Sequence, residues 1–119
     1  MTEQLSPHFA RREFACRCGC GAADVSPELV TVLEHVREHF AAPVVVVSGR
    51  RCVTHNSKVG GARNSQHVAG TAADIKISGV APVVVATWLE ANYPQRYGIG
   101  RYANFTHIDV RPSPARWRG

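Results

Sequence analysis

The chain has 119 residues and a mass of 13.0 kDa, which suffices for one hydrophobic core and excludes a second independently folded domain. Hydrophobic residues make up 45% of the chain and charged residues 19%, so the composition is that of a globular protein and excludes intrinsic disorder. Fourteen Lys and Arg against nine Asp and Glu give a formal net charge of +5, which favours an anionic partner.

No segment of the sequence is a candidate membrane span. The longest apolar runs, residues 43–47 and 80–86, fall far short of the roughly 20 residues that a bilayer requires. The N-terminus lacks the basic and then apolar layout of a secretory signal, so we expect any extracellular substrate to be reached by another route. The arginines are scattered and form no nucleic-acid-binding motif. We therefore expect no nucleic-acid partner. We also expect the protein to be a monomer.

An N-terminal clasp is predicted over residues 1–24. Within it, Ser6 and Pro7 form a helix-start signal, which predicts a short helical turn over residues 6–14. Three of the four cysteines follow this turn: Cys16, Cys18 and Cys20.

A helix is predicted over residues 27–40. Ser26 and Pro27 provide the start signal, and apolar residues then recur at helical spacing. These residues are Leu29, Val32, Leu33, Val36 and Phe40. Pro43 ends the pattern, and the valine run at 44–47 lacks alternation, which predicts a central strand covered on both faces.

Residues 48–70 lose all apolar periodicity and are rich in glycine, asparagine, serine, histidine and arginine. A loop of this length in so small a domain is usually functional when it is not disordered. Beyond it, the patterns predict strands at 71–77, 97–102 and 105–111 and a second helix at 83–93. Together these elements predict a single α+β domain with a mainly antiparallel sheet and two main helices.

Three residues form a candidate metal site: His67, Asp74 and His107. A glycine-containing turn separates His67 from Asp74, and His107 lies on the polar face of another predicted strand, so the chain can bring all three together. Two imidazoles and a carboxylate are a common donor set for catalytic zinc, which keeps one position open for water. The alternative is that the histidines are ordinary hydrogen-bonded residues and that Asp74 pairs with Lys76 or an arginine.

Several motifs closely resemble those of the M15A-type peptidases, and they occur in the same order from residue 8 almost to the C-terminus. The motifs are Ser48-Gly49-Arg50-Arg51-Cys52, His55-Asn56, Val59-Gly60-Gly61-Ala62, Ser65-Gln66-His67-x-x-Gly70-x-Ala72-x-Asp74-Ile75, Phe105-Thr106-His107-Ile108-Asp109-Val110-Arg111 and Arg116-Trp117. Members of this family are zinc D-Ala-D-Ala carboxypeptidases and peptidoglycan endopeptidases, including phage lysis enzymes. The resemblance implies the hedgehog/DD-peptidase fold and one zinc ion on His67, Asp74 and His107.

The resemblance also implies roles for residues around the metal. Arg51 is expected near the substrate carbonyl oxygen, where a fixed guanidinium would stabilise developing negative charge. Arg50 stands where the family usually has tyrosine, in the wall on the substrate side. Ser65 corresponds to a serine that helps hold substrate, and its alternative role is a turn-forming serine bonded to the backbone.

The general base is the point at which the sequence departs from the family pattern. Several relatives carry Asp or Glu three residues before the last zinc histidine, and here that position is Asn104, which we place beside the substrate. Asp109 is the nearest acidic candidate for the base, because residues two apart on a strand share a face. Its alternative role is to orient a zinc histidine or to pair with Arg111. His55 is the remaining candidate.

The cysteines allow two arrangements. A disulfide from Cys52 to one of Cys16, Cys18 or Cys20 would pin the clasp beside Arg51 in an oxidising compartment, whereas all four would stay reduced in the cytosol. Four thiolates could instead hold a structural zinc ion, but Cys-x-Cys-x-Cys lacks the usual gaps of two to four residues. The spacing therefore counts against the metal, and in an oxidising compartment the disulfide is the favoured arrangement.

Taken together, the sequence predicts a zinc metallopeptidase that hydrolyses an amide bond in peptidoglycan stem peptides, as a D,D-carboxypeptidase or an endopeptidase. The expected place of action is the cell wall, which a phage or prophage enzyme would reach through a separate pore or on the virion. The alternative is a non-catalytic, zinc-containing module that binds the wall or has a structural role.

Overall fold

Two long helices and a five-stranded sheet enclose the core in the computed structural model, which describes residues 3–119. The strands are β1 (Gln4–Ser6), β2 (Phe9–Ala10), β3 (Val44–Ser48), β4 (Ala72–Ile77), β5 (Gly98–Arg101), β6 (Thr106–Asp109) and β7 (Ala115–Arg118). The helices are a 3-10 helix (Arg11–Phe14), α1 (Pro27–Phe40), α2 (Val53–Lys58), α3 (Gln66–Ala69) and α4 (Pro82–Asn92). Among residues 3–119, no helix is long and apolar enough to cross a bilayer.

The main sheet has the strand order β3-β4-β6-β5-β7. All of its pairs are antiparallel except β5 and β7, which run parallel. The predicted α+β architecture with a mainly antiparallel sheet is therefore confirmed, and α1 and α4 are the two main helices.

Helix α1 has the bounds that its sequence predicts. The Ser26 side chain accepts a hydrogen bond from the Glu28 N–H at 3.2 Å, and Pro27 occupies the first turn without losing a backbone bond. The helix ends at Ala41, which adopts a left-handed conformation with φ of 50°. Leu29, Leu33 and Val36 of its apolar stripe are fully buried in the core cluster, whereas Phe40 at its end is partly buried against that cluster.

Strand β3 exists as predicted, but its predicted position at the centre of the sheet is wrong. It lies at the edge and pairs only with β4. Val44 and Val46 are buried, whereas Val45 and Val47 are 53% and 39% exposed. The run consists only of valines, so the sequence contains no alternation that would reveal the exposed face.

The helical turn predicted over residues 6–14 is only partly present. Residues 4–10 form the β1–β2 hairpin, and a 3-10 helix begins only at Arg11. Ser6 does not cap a helix, because its hydroxyl donates instead to the Glu34 carboxylate of α1. Residues 1–2 of the predicted clasp lie outside the described residues.

The long loop predicted over residues 48–70 contains two short helices, α2 and α3. Side chains of Cys52 and Ser65 cap them by accepting from the N–H groups of His55 and His67. Helices of one turn or slightly more show no apolar period, which is why the pattern missed them. Strand β7 was also missed.

The alternation of β4 and β6 divides the sheet into a core face and a polar face. Ile75 and Ile108 point into the core and are 1% and 0% exposed. Asp74 and His107 are direct partners in the β4–β6 register, so both side chains leave the opposite face together. This register positions the site described next.

Candidate active site

His67, Asp74 and His107 converge at the polar face of the sheet. His67 Nε2 lies 3.4 Å and His107 Nδ1 lies 2.9 Å from Asp74 Oδ1. Each residue offers one ligand atom, and these atoms lie within 4.8 Å of one another. The three residues are only 4%, 6% and 8% exposed. The structure therefore brings together the whole predicted donor set.

An acceptor on the outer side orients each imidazole. The Gly49 carbonyl oxygen lies 2.8 Å from His67 Nδ1, which must donate to it, so that Nε2 faces Asp74. His107 has a carboxylate oxygen at each ring nitrogen: Asp109 Oδ2 lies 2.8 Å from Nε2 and Asp74 Oδ1 lies 2.9 Å from Nδ1. An imidazole that binds a metal through one nitrogen donates its other N–H outward, as His67 does to Gly49 and as His107 can to Asp109. The donor set fits one zinc ion.

The carboxylates around the histidines stay ionised. Burial raises the pKa of Asp74, but hydrogen bonds and charge from His107 and His67 outweigh it and lower the pKa to about 2. Burial raises the pKa of Asp109 too, but His107 and Arg111 hold it well below its usual value. The pKa of His107 is raised, because the two carboxylates outweigh the lowering effect of burial. Asp74 is thus an anionic candidate ligand at neutral pH.

Arg51 lies beside the three candidate ligands and is fixed by three contacts. Its Nε donates to Ser48 Oγ at 3.2 Å and its Nη1 donates to Asn56 Oδ1 at 3.1 Å. Its Nη2 lies 3.6 Å from Asp74 Oδ2. The planar guanidinium is held at both ends, which is the preorganisation that stabilisation of a developing negative charge requires.

The site opens into a cavity of about 640 Å³, here called the site cavity. Its lining residues are Arg51, Val59, Gly60, Gly61, Ala62, Asn64, Ser65, Gln66, His67, Asp74, Tyr102, Phe105, His107, Arg111 and Trp117. The cavity is open to solvent, so the buried donors can be reached from the surface.

Three aromatic residues form one wall of the site cavity, here called the aromatic wall: Tyr102, Phe105 and Trp117. The Trp117 ring lies 5.0 Å from that of His107, and its N–H donates to the Tyr102 hydroxyl at 2.9 Å. Tyr102 and Phe105 stack at 4.4 Å. Gly100 makes room for the tryptophan, because a Cβ there would lie 2.6 Å from the ring. Sequence reasoning missed Tyr102 entirely and gave no role to Phe105 or Trp117.

Asp109 lies behind His107 and outside the residues that line the site cavity. Its side chain is completely buried, and it accepts from Arg111 Nε and Nη2, both at 2.7 Å. It also accepts from the Gly98 N–H at 3.1 Å. Asp109 therefore contacts the His107 ring but does not reach the cavity. This placement favours the role of orienting His107 over the role of general base.

The other predicted substrate residues occupy different places. Ser65 lines the site cavity and at the same time caps α3, because its hydroxyl accepts from the His67 N–H at 3.1 Å. Arg50 is half-buried outside the cavity lining, and its N–H donates to the Phe14 carbonyl at 2.8 Å. Asn104 is exposed and faces a separate depression beside Lys76. The structure therefore brings Ser65 to the site, but not Arg50 or Asn104.

Asn56 and Gly61 hold the arginine in place, although their sequence motifs indicated no role for them. Asn56 is 5% exposed, and its amide donates to the Ala62 carbonyl at 2.8 Å while its oxygen accepts from Arg51. Gly61 packs so closely that a Cβ would lie 2.0 Å from Asn56 Oδ1 and 3.0 Å from Arg51 Nη1. The His55-Asn56 and Gly60-Gly61 pairs could be recognised as motifs in the sequence. The sequence did not show that Asn56 and Gly61 pack against Arg51.

A protein-family model described as Peptidase M15 matches residues 7–109. The chain belongs to the M15 peptidase family. The match spans all three candidate ligands and Arg51, and it confirms the resemblance found in the sequence. Membership of a peptidase family makes hydrolysis the chemical class of this M15 chain. No curated protein matches it.

Proposed function

We propose that this M15 chain is a zinc-dependent peptidase that hydrolyses an amide bond in peptidoglycan stem peptides. The observation that carries the proposal is the convergence of His67, Asp74 and His107 at the floor of an open cavity, within 4.8 Å of one another. The two imidazole nitrogens that face Asp74, together with its carboxylate oxygen, would hold one zinc ion. The motif resemblance supports the hedgehog/DD-peptidase fold and the peptidoglycan substrate.

When bound there, zinc would act as a Lewis acid toward the substrate carbonyl and lower the pKa of water. The chain's own groups do the remaining work. Gly49 and Asp109 hold the imidazole rings in place from their outer sides, and Arg51 presents a rigid guanidinium beside Asp74 to a carbonyl oxygen that gains negative charge. Asp109 acts as a positioning residue for His107.

Features of the site cavity support a stem peptide as the substrate. Arg51 and Arg111 both line it, and these cations match the carboxylates of stem peptides. The aromatic wall offers apolar contact to the small side chains of alanine residues. Ser65 lines the site cavity and would contact the peptide, whereas Arg50 and Asn104 lie outside its lining. The net charge of +5 favours encounter with an anionic wall.

The cell wall is the proposed place of action, as for a lysis enzyme or a virion-borne enzyme of a phage. A carboxypeptidase would release terminal D-Ala, and an endopeptidase would cut crosslinks or the interior of the stem. The protein is proposed to act as a monomer, because the donor set and Arg51 come from one chain.

The test is incubation of zinc-loaded protein with crosslinked and uncrosslinked muropeptides, followed by mass spectrometry. We expect a cleaved product from the wild type and none from His67→Ala. His39→Ala is the matched control, because His39 lies on α1 away from the site cavity and its loss should leave the product unchanged. Absence of product from every muropeptide, with zinc bound, would reject the peptidase.

A second candidate function is a zinc-containing module that binds the wall without cleaving it. Among residues 3–119, Asp74 is the only carboxylate that lines the site cavity, so no second acid stands ready as a general base. Sedimentation with insoluble walls, together with unchanged wall turbidity and no released peptide, would favour this function.

A further inference from the structure

The four cysteines come together outside the lining of the site cavity, and here they are called the cysteine cluster: Cys16, Cys18, Cys20 and Cys52. Their sulfur atoms all lie within 4.8 Å of one another. All four are free thiols in the structure. The peptidase proposal uses none of them.

The sulfur separations match those of a tetrahedral metal site. Cys16 Sγ lies 3.5 Å from Cys18 Sγ, and Cys18 Sγ lies 3.7 Å from Cys52 Sγ. Four sulfurs at about 2.3 Å from a central zinc ion stand about 3.8 Å from one another in a regular tetrahedron. We propose that the cysteine cluster holds a second, structural zinc ion through four thiolates.

The backbone explains how so tight a cysteine spacing can converge. Gly19 and Gly21 have φ of +84° and +93°, a left-handed conformation that turns the chain sharply after Cys18 and again after Cys20. The Cys16 N–H donates to the Ala22 carbonyl at 2.7 Å and closes the loop. These turns bring closely spaced cysteines together, as longer gaps between cysteines do in other metal sites. The spacing argument against a metal therefore loses its force.

Backbone donors surround the sulfurs as they do in thiolate sites. The Cys52 N–H points at Cys16 Sγ at 3.4 Å, and the His55 N–H points at Cys52 Sγ at 3.3 Å. The Ala22 N–H points at Cys20 Sγ at 3.5 Å. Donors to the charged form favour it, and metal-bound cysteines are deprotonated. Three of the four sulfurs thus have an N–H partner for the charge that ligation requires.

The position of the cysteine cluster indicates a structural role. Four cysteine ligands complete a tetrahedron and leave no open position for chemistry. The ion would tie the loop of residues 16–20 to Cys52, which directly follows Arg51. The same stretch contains Gly49, whose carbonyl fixes His67, and Arg50, whose N–H donates to Phe14. The cluster would brace the segment that holds the active-site arginine.

The experiment counts zinc in protein purified under reducing conditions and then follows the spectrum after cobalt substitution. In the His67→Ala variant, which lacks the catalytic donor set, we expect about one zinc ion per chain to remain. Cobalt in this variant should give the near-ultraviolet charge-transfer absorption of thiolate ligation. Changing Cys52→Ser in the same background should abolish both the zinc retention and that absorption, because the four-thiolate ligand set is broken.

Val53→Ala is the matched control, because Val53 is adjacent but 73% exposed and has no sulfur. Should Cys52→Ser fail to fold, Cys20→Ser tests the same ligand set from the exposed end of the cluster, with circular dichroism as the check of folding. Zinc retention in His67→Ala stands independently of peptidase activity, so failure of the first proposal leaves this one intact.

Thiol titration separates the metal from the predicted disulfide between Cys52 and one of the other cysteines. Zinc-bound cysteines should react slowly in the folded protein, and all four should react after chelation and unfolding without a reductant. Two unreactive cysteines at that stage would show a disulfide and overturn the zinc proposal. Four reactive thiols in the folded His67→Ala protein with no bound zinc would overturn it as well.

Discussion

His107 and Asp74 face each other across the paired strands β6 and β4, and the histidine Nδ1 lies 2.9 Å from the aspartate Oδ1. The contact follows from strand register, because direct cross-strand partners leave the same face of the sheet. His67 reaches the same carboxylate oxygen from α3. The sheet thus fixes two of the three candidate ligands relative to each other, and the short helix adds the third.

Asp109→Asn should weaken zinc binding, because the amide holds the His107 ring less firmly and adds no negative charge behind it. We expect zinc affinity or turnover to fall about 10-fold to 100-fold, the range seen for partners of metal-ligating histidines. Competition with a chelating dye measures the affinity. Asp24→Asn is the control, because the exposed Asp24 carboxylate pairs with Arg11 and does not contact the candidate ligands. Unchanged zinc affinity in Asp109→Asn would contradict the positioning role.

Arg51→Lys should reduce turnover while leaving the metal in place. Lysine cannot reach Ser48, Asn56 and Asp74 together, so the charge that faces the substrate carbonyl loses its fixed direction. The expected loss in kcat is roughly 10²-fold to 10³-fold, the cost of removing one oxyanion donor. Arg50→Lys is the matched control. Full activity of Arg51→Lys at normal zinc content would exclude the stabilising role.

Gly61→Ala should displace Asn56 and, through it, Arg51. A Cβ at this position would lie 2.0 Å from Asn56 Oδ1, so the buried asparagine must shift. We expect about 1–3 kcal/mol lower stability to denaturant, together with a loss of turnover. Gly79→Ala provides the comparison, because Gly79 has φ of +75° with nothing nearby. That variant should lose about 1 kcal/mol from backbone strain and keep its activity.

Glu34→Gln should lower stability at neutral pH and lose this effect in acid. Burial raises the pKa of Glu34, but hydrogen bonds from Ser6 and His8 outweigh it and hold the pKa below its ordinary value of 4.5. The ionised carboxylate therefore stabilises the fold above that value, and the contribution disappears as the pH falls through the lowered pKa.

We expect a difference of about 1 kcal/mol in the free energy of unfolding between Glu34→Gln and wild type at neutral pH. Denaturant titrations at several pH values measure it. Glu38→Gln, at an exposed position on the same helix, controls for loss of charge. A difference that stayed constant down to a pH well below 4.5 would contradict the assignment.

The sequence predicted the elements in which periodicity and end signals agree. Helix α1 begins after Ser26 and ends at Phe40 as expected, because capping and the apolar stripe are both local properties. The candidate ligands were also found, since histidine and aspartate at these positions match a motif. Local sequence signals thus predicted helix α1 and the three candidate ligands.

The remainder depends on contacts between distant residues, which no local pattern encodes. The exposed edge of β3 depends on which strands come to lie beside it, and a run of identical valines does not indicate this. The aromatic wall requires β7 to lie parallel to β5 and bring Trp117 next to His107. The orienting role of Asp109 is different: His107 and Arg111 are each two positions away, and the sequence already offered this role as the alternative to a general base.

The three candidate ligands arrive from a short helix and two different strands, separated by as many as 40 positions between His67 and His107. A denatured chain cannot present them together, so a metal that binds them binds the native state almost exclusively. Mass action then ties the lifetime of the folded protein to the free zinc around it. Where zinc is scarce, the protein should unfold at a lower temperature and be degraded faster by proteases. The zinc supply would then govern the amount of folded protein as well as its chemistry.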